Sequence, residues 1–108
     1  GIETEIVDNY LKNIAGTRRY EKKIGIYEED GIVTKEEFYG NLLLSGEEVV
    51  VKDVQNFPRY HPKENELAEI CCPIKLDDRI IGLIALVAFN SDQQHKILSN
   101  HENLLLFL

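Results

Sequence analysis

Apolar residues recur along this chain with two different periods, and the periods divide it into elements. From Glu69 to Leu76 (EICCPIKL) they alternate. Ile70, Cys72, Ile74 and Leu76 share one face and Cys71, Pro73 and Lys75 the other, which predicts a strand with one covered face. Asp77-Asp78 is a tight-turn signal, and Arg79 to Asn90 (RIIGLIALVAFN) is a near-continuous apolar run, as expected of a strand buried on both faces. The two make a long hairpin. Pro73 offers the ladder no N–H and needs an edge, a bulge or a non-bonded site, whereas Gly82 marks a close backbone approach or a helix packed above it. Ser91-Asp92-Gln93-Gln94 then opens a helix as a capping box. Its apolar positions Ile97, Leu98, Leu104, Leu105 and Leu108 recur at helical spacing, with His101 in the stripe.

A second capping box, Thr34-Lys35-Glu36-Glu37, precedes Phe38, Tyr39, Leu42 and Leu43 at helical spacing, and Gly46 supplies a stop. Gly40 weakens that helix by about 1 kcal/mol relative to Ala. Glu47 to Val54 (EEVVVKDV) reads as a strand, and Gln55 to Glu66 (QNFPRYHPKENE), with two prolines, as the longest loop. The beginning of the chain admits two readings. Ile2, Ile6, Tyr10 and Ile14, with Val7 and Leu11, fit a helix at i, i+4 spacing. A hairpin of Glu5 to Asp8, a turn at Asn9 and a strand from Tyr10 to Ala15 fits as well, through Asp8-Asn9 turn chemistry. Periodicity alone favours the helix.

Composition narrows the partners. The 108 residues suit one domain, 1–108, and 44% apolar with 29% charged residues describe a globular chain. A net charge of −7 argues against nucleic acid, which needs a basic footprint, and against an anionic membrane surface. The longest apolar run, Ile80 to Phe89, is interrupted only by Gly82 and falls short of the ~20 residues of a membrane span. The opening GIETEIVDNY lacks the regions of a secretory signal, and the chain contains no Met. With a last helix that has no stop signal, this implies a fragment excised from a longer chain. Two adjacent cysteines are not a disulfide framework, so a cytoplasmic location is expected.

Candidate chemistry is thin. His95 and His101 lie six apart on one helix, off the i, i+4 spacing that grips a metal, and no phosphate loop, HExxH or GxSxG occurs. Asp77-Asp78 and Glu28-Glu29-Asp30 read as solvated turns. Cys71 and Cys72, as strand neighbours, point to opposite faces, which opposes a shared metal; two cysteines also fall short of the four or so ligands of a zinc or iron–sulfur site. No metal or cofactor is expected. Buried thiols act as small hydrophobes, and the alternative is a redox- or metal-sensing thiol working with His61. A ligand pocket suits the pattern better: a sheet face, a helix over it and a loop bearing Phe57, Tyr60 and His61, with Tyr27, Phe38, Tyr39, Cys71 and Cys72 as further lining candidates. The competing reading is that these aromatics simply fill the core.

The stretch CCPIKLDDRIIGLIALVAF, followed by NSDQQHKILSNHENLLLFL, resembles the closing hairpin and helix of GAF domains: Cys72-Pro73-Ile74, a turn at Asp77-Asp78, Ile81-Gly82-Leu83-Ile84, and a helix from Ser91. The opening EIVDNYLKNIAGTRRYEKKIG resembles the start of the sensory domains that precede sigma-54-dependent transcriptional activators in anaerobic bacteria, where IVD-turn-L-x-x-IAGT-x-x-Y is a strand–turn–strand. The resemblance covers nearly the whole chain, strongly at both ends and weakly between Gly31 and Glu66. It implies an α+β fold of the GAF/PAS kind, with a five-stranded antiparallel sheet, a short helix on one face and a long C-terminal helix. It also turns the first fifteen residues from helix to hairpin. Some relatives carry a cysteine-rich insertion where this chain has NFPRYHPKENELA, so a metal or cluster site does not carry over.

The function so implied is a non-enzymatic regulatory sensor. It would bind a small molecule beneath the helix within Gly31–Ser45 and relay the change through the terminal helix to downstream ATPase and DNA-binding domains. A homodimer through the Ile97, Leu98, Leu104, Leu105, Leu108 stripe is also expected, and a ligand-free dimerisation module is the rival reading. Some GAF proteins reduce free methionine sulfoxide with cysteine thiols. That chemistry needs an exposed low-pKa thiolate and a resolving cysteine across the pocket, which adjacent strand cysteines do not provide.

Overall fold

The computed structural model describes residues 2–57 and 65–106, with side chains as far as Ser99. Among them are five strands: β1 (Glu3–Asp8), β2 (Asn13–Gly16), β3 (Val49–Val51), β4 (Ala68–Leu76) and β5 (Arg79–Ala88). They form one antiparallel sheet in the order β2-β1-β5-β4-β3. Helix α1 (Phe38–Ser45) packs on one face and α2 (Ser91–Leu106) on the other. Because successive strand residues point to opposite faces, β4 and β5 contribute to two cores. Cys71, Leu83, Ala85 and Val87 meet Phe38, Tyr39, Leu42 and Leu43 of α1, while Ala68, Ile70 and Ala88 meet Ile97 of α2. The α+β architecture of five antiparallel strands agrees with the expectation. One detail differs: over Ala68–Cys71 strand β4 is covered on both faces, and Cys71, on the side expected to be open, is fully buried.

The opening residues are a hairpin, against their helical periodicity. Asp8 decides it locally: its side chain accepts the N–H of Tyr10 (2.8 Å) and of Lys12 (3.0 Å), and Leu11 takes φ 68°. Such an Asx-type turn offers the backbone a competitor to helix. The loop is longer than a turn at Asn9, so β2 begins only at Asn13. β1 hides its period because the residues it buries with Val7 are Glu3 and Glu5. Glu3 is held from the IAGTRRY segment: Thr17 Oγ1 donates to it at 2.8 Å and Arg18 Nε at 2.8 Å. Burial pushes this carboxyl up, and the Arg18 and Thr17 bonds outweigh that and bring it below the usual carboxylate range. Gly16 is needed because a Cβ there would overlap Tyr20, which tucks under the sheet from the 3-10 turn Arg18–Lys23.

Both capping boxes form differently from the pattern. At α1 the Thr34 side chain does not cap; the Glu29 carboxylate, in a second 3-10 turn (Glu29–Gly31), accepts the N–H of Tyr39 at 2.8 Å and of Gly40 at 2.9 Å. At α2 the box is shifted by one residue: Asn90 Oδ1 accepts the N–H of Gln93, and Gln93 Oε1 accepts that of Phe89. The strand expected over Glu47–Val54 shrinks to Val49–Val51, since Asp53 caps a 3-10 turn at Val54–Asn56. At its other end β3 starts only at Val49, and this accommodates Pro73. β3 reaches only as far as Cys71 on β4, so Pro73 lies where β4 is a local edge, with a register shift just beyond at Ile74/Lys75. Gly82 is a close approach to β1, where a Cβ would overlap the Val7 carbonyl oxygen.

Gly40 separates propensity from packing. Helix propensity alone makes Gly40→Ala stabilising by about 1 kcal/mol. In the fold, a Cβ at Gly40 would overlap the Thr34 backbone carbonyl and amide. Gly40→Ala is therefore expected to destabilise by about 1–3 kcal/mol in urea unfolding; a stabilised variant would contradict this packing.

Candidate functional site

The inner face of the sheet carries charge where a core would be apolar. Glu5 of β1 is 3% exposed, and across the sheet Glu69 of β4 is 1% exposed on the same face. A buried carboxylate costs several kcal/mol unless it is matched by donors. Tyr39, in the first turn of α1, supplies one: its hydroxyl donates to Glu5 Oε1 at 2.6 Å. Lys23 supplies charge, with Nζ 3.8 Å from Glu5 Oε2 and 2.5 Å from Glu28 Oε1. Asn13 Nδ2 donates to the same Glu28 oxygen at 3.1 Å and to the Ile26 carbonyl at 3.0 Å. Burial, with the Glu69 and Glu5 carboxylates, pushes the Tyr39 hydroxyl well up, so it stays a proton donor. Tyr20 is pushed up in the same way, by burial and then Glu5. Glu29 is also raised, by burial first, with the two α1 amides acting against it.

Glu5, Tyr20, Glu28, Glu29 and Tyr39 border a cavity of about 470 Å³ between β1, the 3-10 turns and α1. Its aromatic part is Tyr20, Phe38 and Tyr39, with Ile32 and Thr34 beside them. Its acidic part is Glu5, Glu28, Glu29, Asp30, Glu37 and Glu66. Glu28 and Glu66 are each 7% exposed, so the reading of Glu28-Glu29-Asp30 as a solvated turn fails for Glu28, which ties Lys23 and Asn13 to the inner face.

The sequence candidates separate. Phe38 and Tyr39 line the cavity. Phe57 meets Phe38 edge-on, ring centroids 5.8 Å apart, and with it borders a different groove toward Leu42 and Val49. Tyr27 is half exposed beside β2, where its backbone bridges to Lys12. Cys71 is fully buried in the α1-side core and does not line this cavity. Cys72 opens onto the opposite groove with Glu48, Pro73 and Lys75. Tyr60 and His61 lie outside the described residues, as do Leu108 and the side chains of Leu104 and Leu105. Ile97 is fully buried against the sheet and Leu98 is partly exposed. The carboxylates were missed. A signal existed in Glu3-x-Glu5-x-Val7, since a strand there places both glutamates on the face of Val7. Nothing local marked Glu28 or Glu66.

Burial, then Glu69 and Glu5, pushes Cys71 well up; burial, then Glu48, pushes Cys72 up. No disulfide joins them. Among the described residues no three His, Cys, Asp or Glu side chains gather as a metal site, and no helix is long and apolar enough to cross a membrane.

No protein-family model matches the sequence. The architecture does have solved counterparts. The GAF domain of a phosphoenolpyruvate-protein phosphotransferase from Coxiella burnetii superposes with a TM-score of 0.62 at 13% identity, over 94% of this chain and 73% of that one. The fold is that of a GAF domain. A type II free methionine-R-sulfoxide reductase from Thermoplasma acidophilum shares it at a TM-score of 0.55 and 19% identity, over 92% of this chain and 70% of that one. In sequence, the GAF-like chain is 34% identical over 110 residues to an Escherichia coli (strain K12) protein designated a uric acid sigma-54-dependent transcriptional regulator, UacR. The match takes in 92% of this chain and 17% of that regulator. A GAF-like domain within such a regulator is consistent with both likenesses.

Two outcomes follow from the geometry. Tyr39→Phe leaves Glu5 Oε1 without its hydroxyl donor in a buried site and is expected to destabilise by about 1–3 kcal/mol in urea unfolding; Tyr27→Phe, at a half-exposed ring, should change stability by less than about 0.5 kcal/mol. Native alkylation by iodoacetamide at pH 7 should be slower than for free cysteine at Cys72 and slower still at Cys71, rising with pH as thiolate forms. Rapid labelling of either would contradict the raised thiols.

Proposed function

We propose that this GAF-like domain is a regulatory sensor that binds a small molecule in the cavity between β1 and α1 and acts through α2 on the output of a sigma-54-dependent regulator. The observation that carries the reading is the cavity itself: a space of drug-like size, part aromatic and part hydrogen-bonding, on the α1 face of a sheet whose other face holds α2. The parent chain would be cytoplasmic, homodimeric through α2 with Leu98 in the contact, and would carry ATPase and DNA-binding domains downstream. The domain itself would catalyse nothing, in keeping with thiols whose pKa is raised.

The coupling route is short. Val87 faces the α1-side core and Ala88, the next residue, touches the Ile97 core; Cys71 and Ile70 stand in the same relation on β4. A ligand that displaces β4 or β5 by a fraction of an ångström is felt by α2 across one sheet thickness. It shifts the output only by its difference in affinity for the two positions of α2.

Thermal unfolding with a panel of purines (uric acid included, after the designation of the regulator), amino acids, amines and carboxylates tests the proposal. At least one compound should stabilise the domain, by about 2.7 kcal/mol at a hundredfold excess over Kd, with amide shifts at Tyr39 and Gly40 and, through the sheet, at Ile97. In the parent regulator, Ile97→Ala should keep the shifts at Tyr39 and Gly40 while blunting the transcriptional response. A panel without any stabilising member or cavity shift would sink the reading.

A further inference from the structure

We infer that β3 is a self-association edge, on which a second copy of this chain adds its own β3 antiparallel to make one continuous sheet. This gives the homodimer of the sensor reading a contact besides α2, and it rests on that homodimer and not on the cavity. β3 closes one end of the sheet: β4 takes one of its sides, and among the described residues no strand takes the other. Such an edge is a template for main-chain pairing, and charge on it selects which chains can pair. Here three valines lie between an acid and a base, Glu48-Val49-Val50-Val51-Lys52, with both charged side chains exposed. Among the described residues neither of the two forms an ion pair.

Two-fold symmetry restricts how two such strands can meet. Residues directly opposite in an antiparallel pair point to the same face, so the axis, normal to the sheet, must pass between one residue and its own copy. With the axis at Val50, Val49 stands opposite Val51 and Glu48 opposite Lys52, and symmetry makes each of these pairs twice. With the axis at Val49, Glu48 would face Val50; with the axis at Val51, Lys52 would face it. Only the Val50 register sets every valine against a valine and every charge against its opposite, which favours it over the others. The next pair outward, Glu47 and Asp53, is of like charge, but the strand has ended by then. Asp53 turns its carboxylate to the N–H of Gln55 (3.0 Å) and to Asn56 Nδ2 (2.7 Å) as the cap of a 3-10 turn.

The same axis is compatible with contact between the helices. Val50 is partly buried against the Ile97 core on the α2 face, and Val51 is fully buried on the α1 face. α2 is tied to this end of the sheet by Gln94, whose Nε2 donates to the Lys52 carbonyl at 3.3 Å. An axis normal to the sheet keeps both copies of α2 on one face, so strand pairing and helix contact can occur in a single dimer.

Sedimentation equilibrium of charge variants tests the edge and its register. Glu48→Lys and Lys52→Glu, each at an exposed position, should each raise the dimer Kd by about fivefold or more, because either one turns both cross-strand pairs into like charges. Mixed in equal amounts, the two single variants should associate with each other as the wild type does with itself. The double variant, with the charges exchanged, should also dimerise like the wild type. Amide hydrogen exchange within Val49–Val51 should slow as the concentration is raised through Kd. Single variants that self-associate like the wild type, in a dimer that Leu98→Asp abolishes, overturn the β3 contact and leave the homodimer through α2 standing. A wild-type domain that stays monomeric at millimolar concentration overturns both. Amides of β3 protected equally at every concentration show the edge to be covered within one chain, which also overturns the inference.

Discussion

The burial of glutamates on the inner face of β1 organises this domain. Glu3 and Glu5 occupy positions that an ordinary sheet fills with aliphatic side chains, and neither can be left without donors in a medium of low dielectric. The chain between β2 and α1 is laid out to answer them. Thr17 and Arg18 come back over Glu3, Lys23 reaches Glu5 and Glu28, and α1 is placed so that the Tyr39 hydroxyl meets Glu5. Glu29, at the end of that layout, holds the first turn of α1 through two backbone amides. Position and charge are therefore set by one network rather than by separate contacts.

The same network borders the cavity. Aliphatic residues at Glu5, Glu28 and Glu66 would collapse into the space under α1 and close it, as packed interiors do. Glu5 and Glu28 are instead held by Tyr39, Lys23 and Asn13, and the rings of Tyr20, Phe38 and Tyr39 form the aromatic wall. The opposite core, around Ile97, Ala68, Ile70 and Ala88, is apolar and filled with small and branched side chains. The α1 face carries the larger core and, beside β1, the cavity as well.

Likeness and chemistry carry different weights here. The GAF fold is shared with a phosphotransferase domain and with a sulfoxide reductase at under 20% identity, so it places the strands and helices and leaves the activity open. The cysteines illustrate the difference: both are present on β4, but one is sealed in the core and the other sits by Glu48, and burial raises both thiols. The segment IAGTRRY, by contrast, has a physical reason for every distinctive residue. Gly16 admits Tyr20, Thr17 and Arg18 hold Glu3, and Arg19 lies 3.7 Å over the Phe89 ring.

Much of the fold was legible in the order of residues. The β4–β5 hairpin, its Asp77-Asp78 turn, α1 stopping at Gly46 and a helix opening near Ser91 all follow from local periodicity and turn chemistry, which act over a few residues. Phe38 and Tyr39 as cavity residues could be read from their place on α1. Three things needed the tertiary structure. The N-terminal hairpin contradicts its own helical spacing, because the inward side chains of β1 are charged and find their donors fourteen or more residues away. The cap of α1 comes from Glu29 rather than from the Thr34–Glu37 box, since a carboxylate brought by a turn outcompeted the local hydroxyl. The acidic cavity joins Glu5, Glu28 and Glu66, residues far apart in sequence and each unremarkable alone. Sequence determined the β4–β5 hairpin with its turn and the stop of α1 at Gly46, because backbone preference is local. Only the fold decided which carboxylates border one cavity, because electrostatic neighbours are chosen by distance in three dimensions.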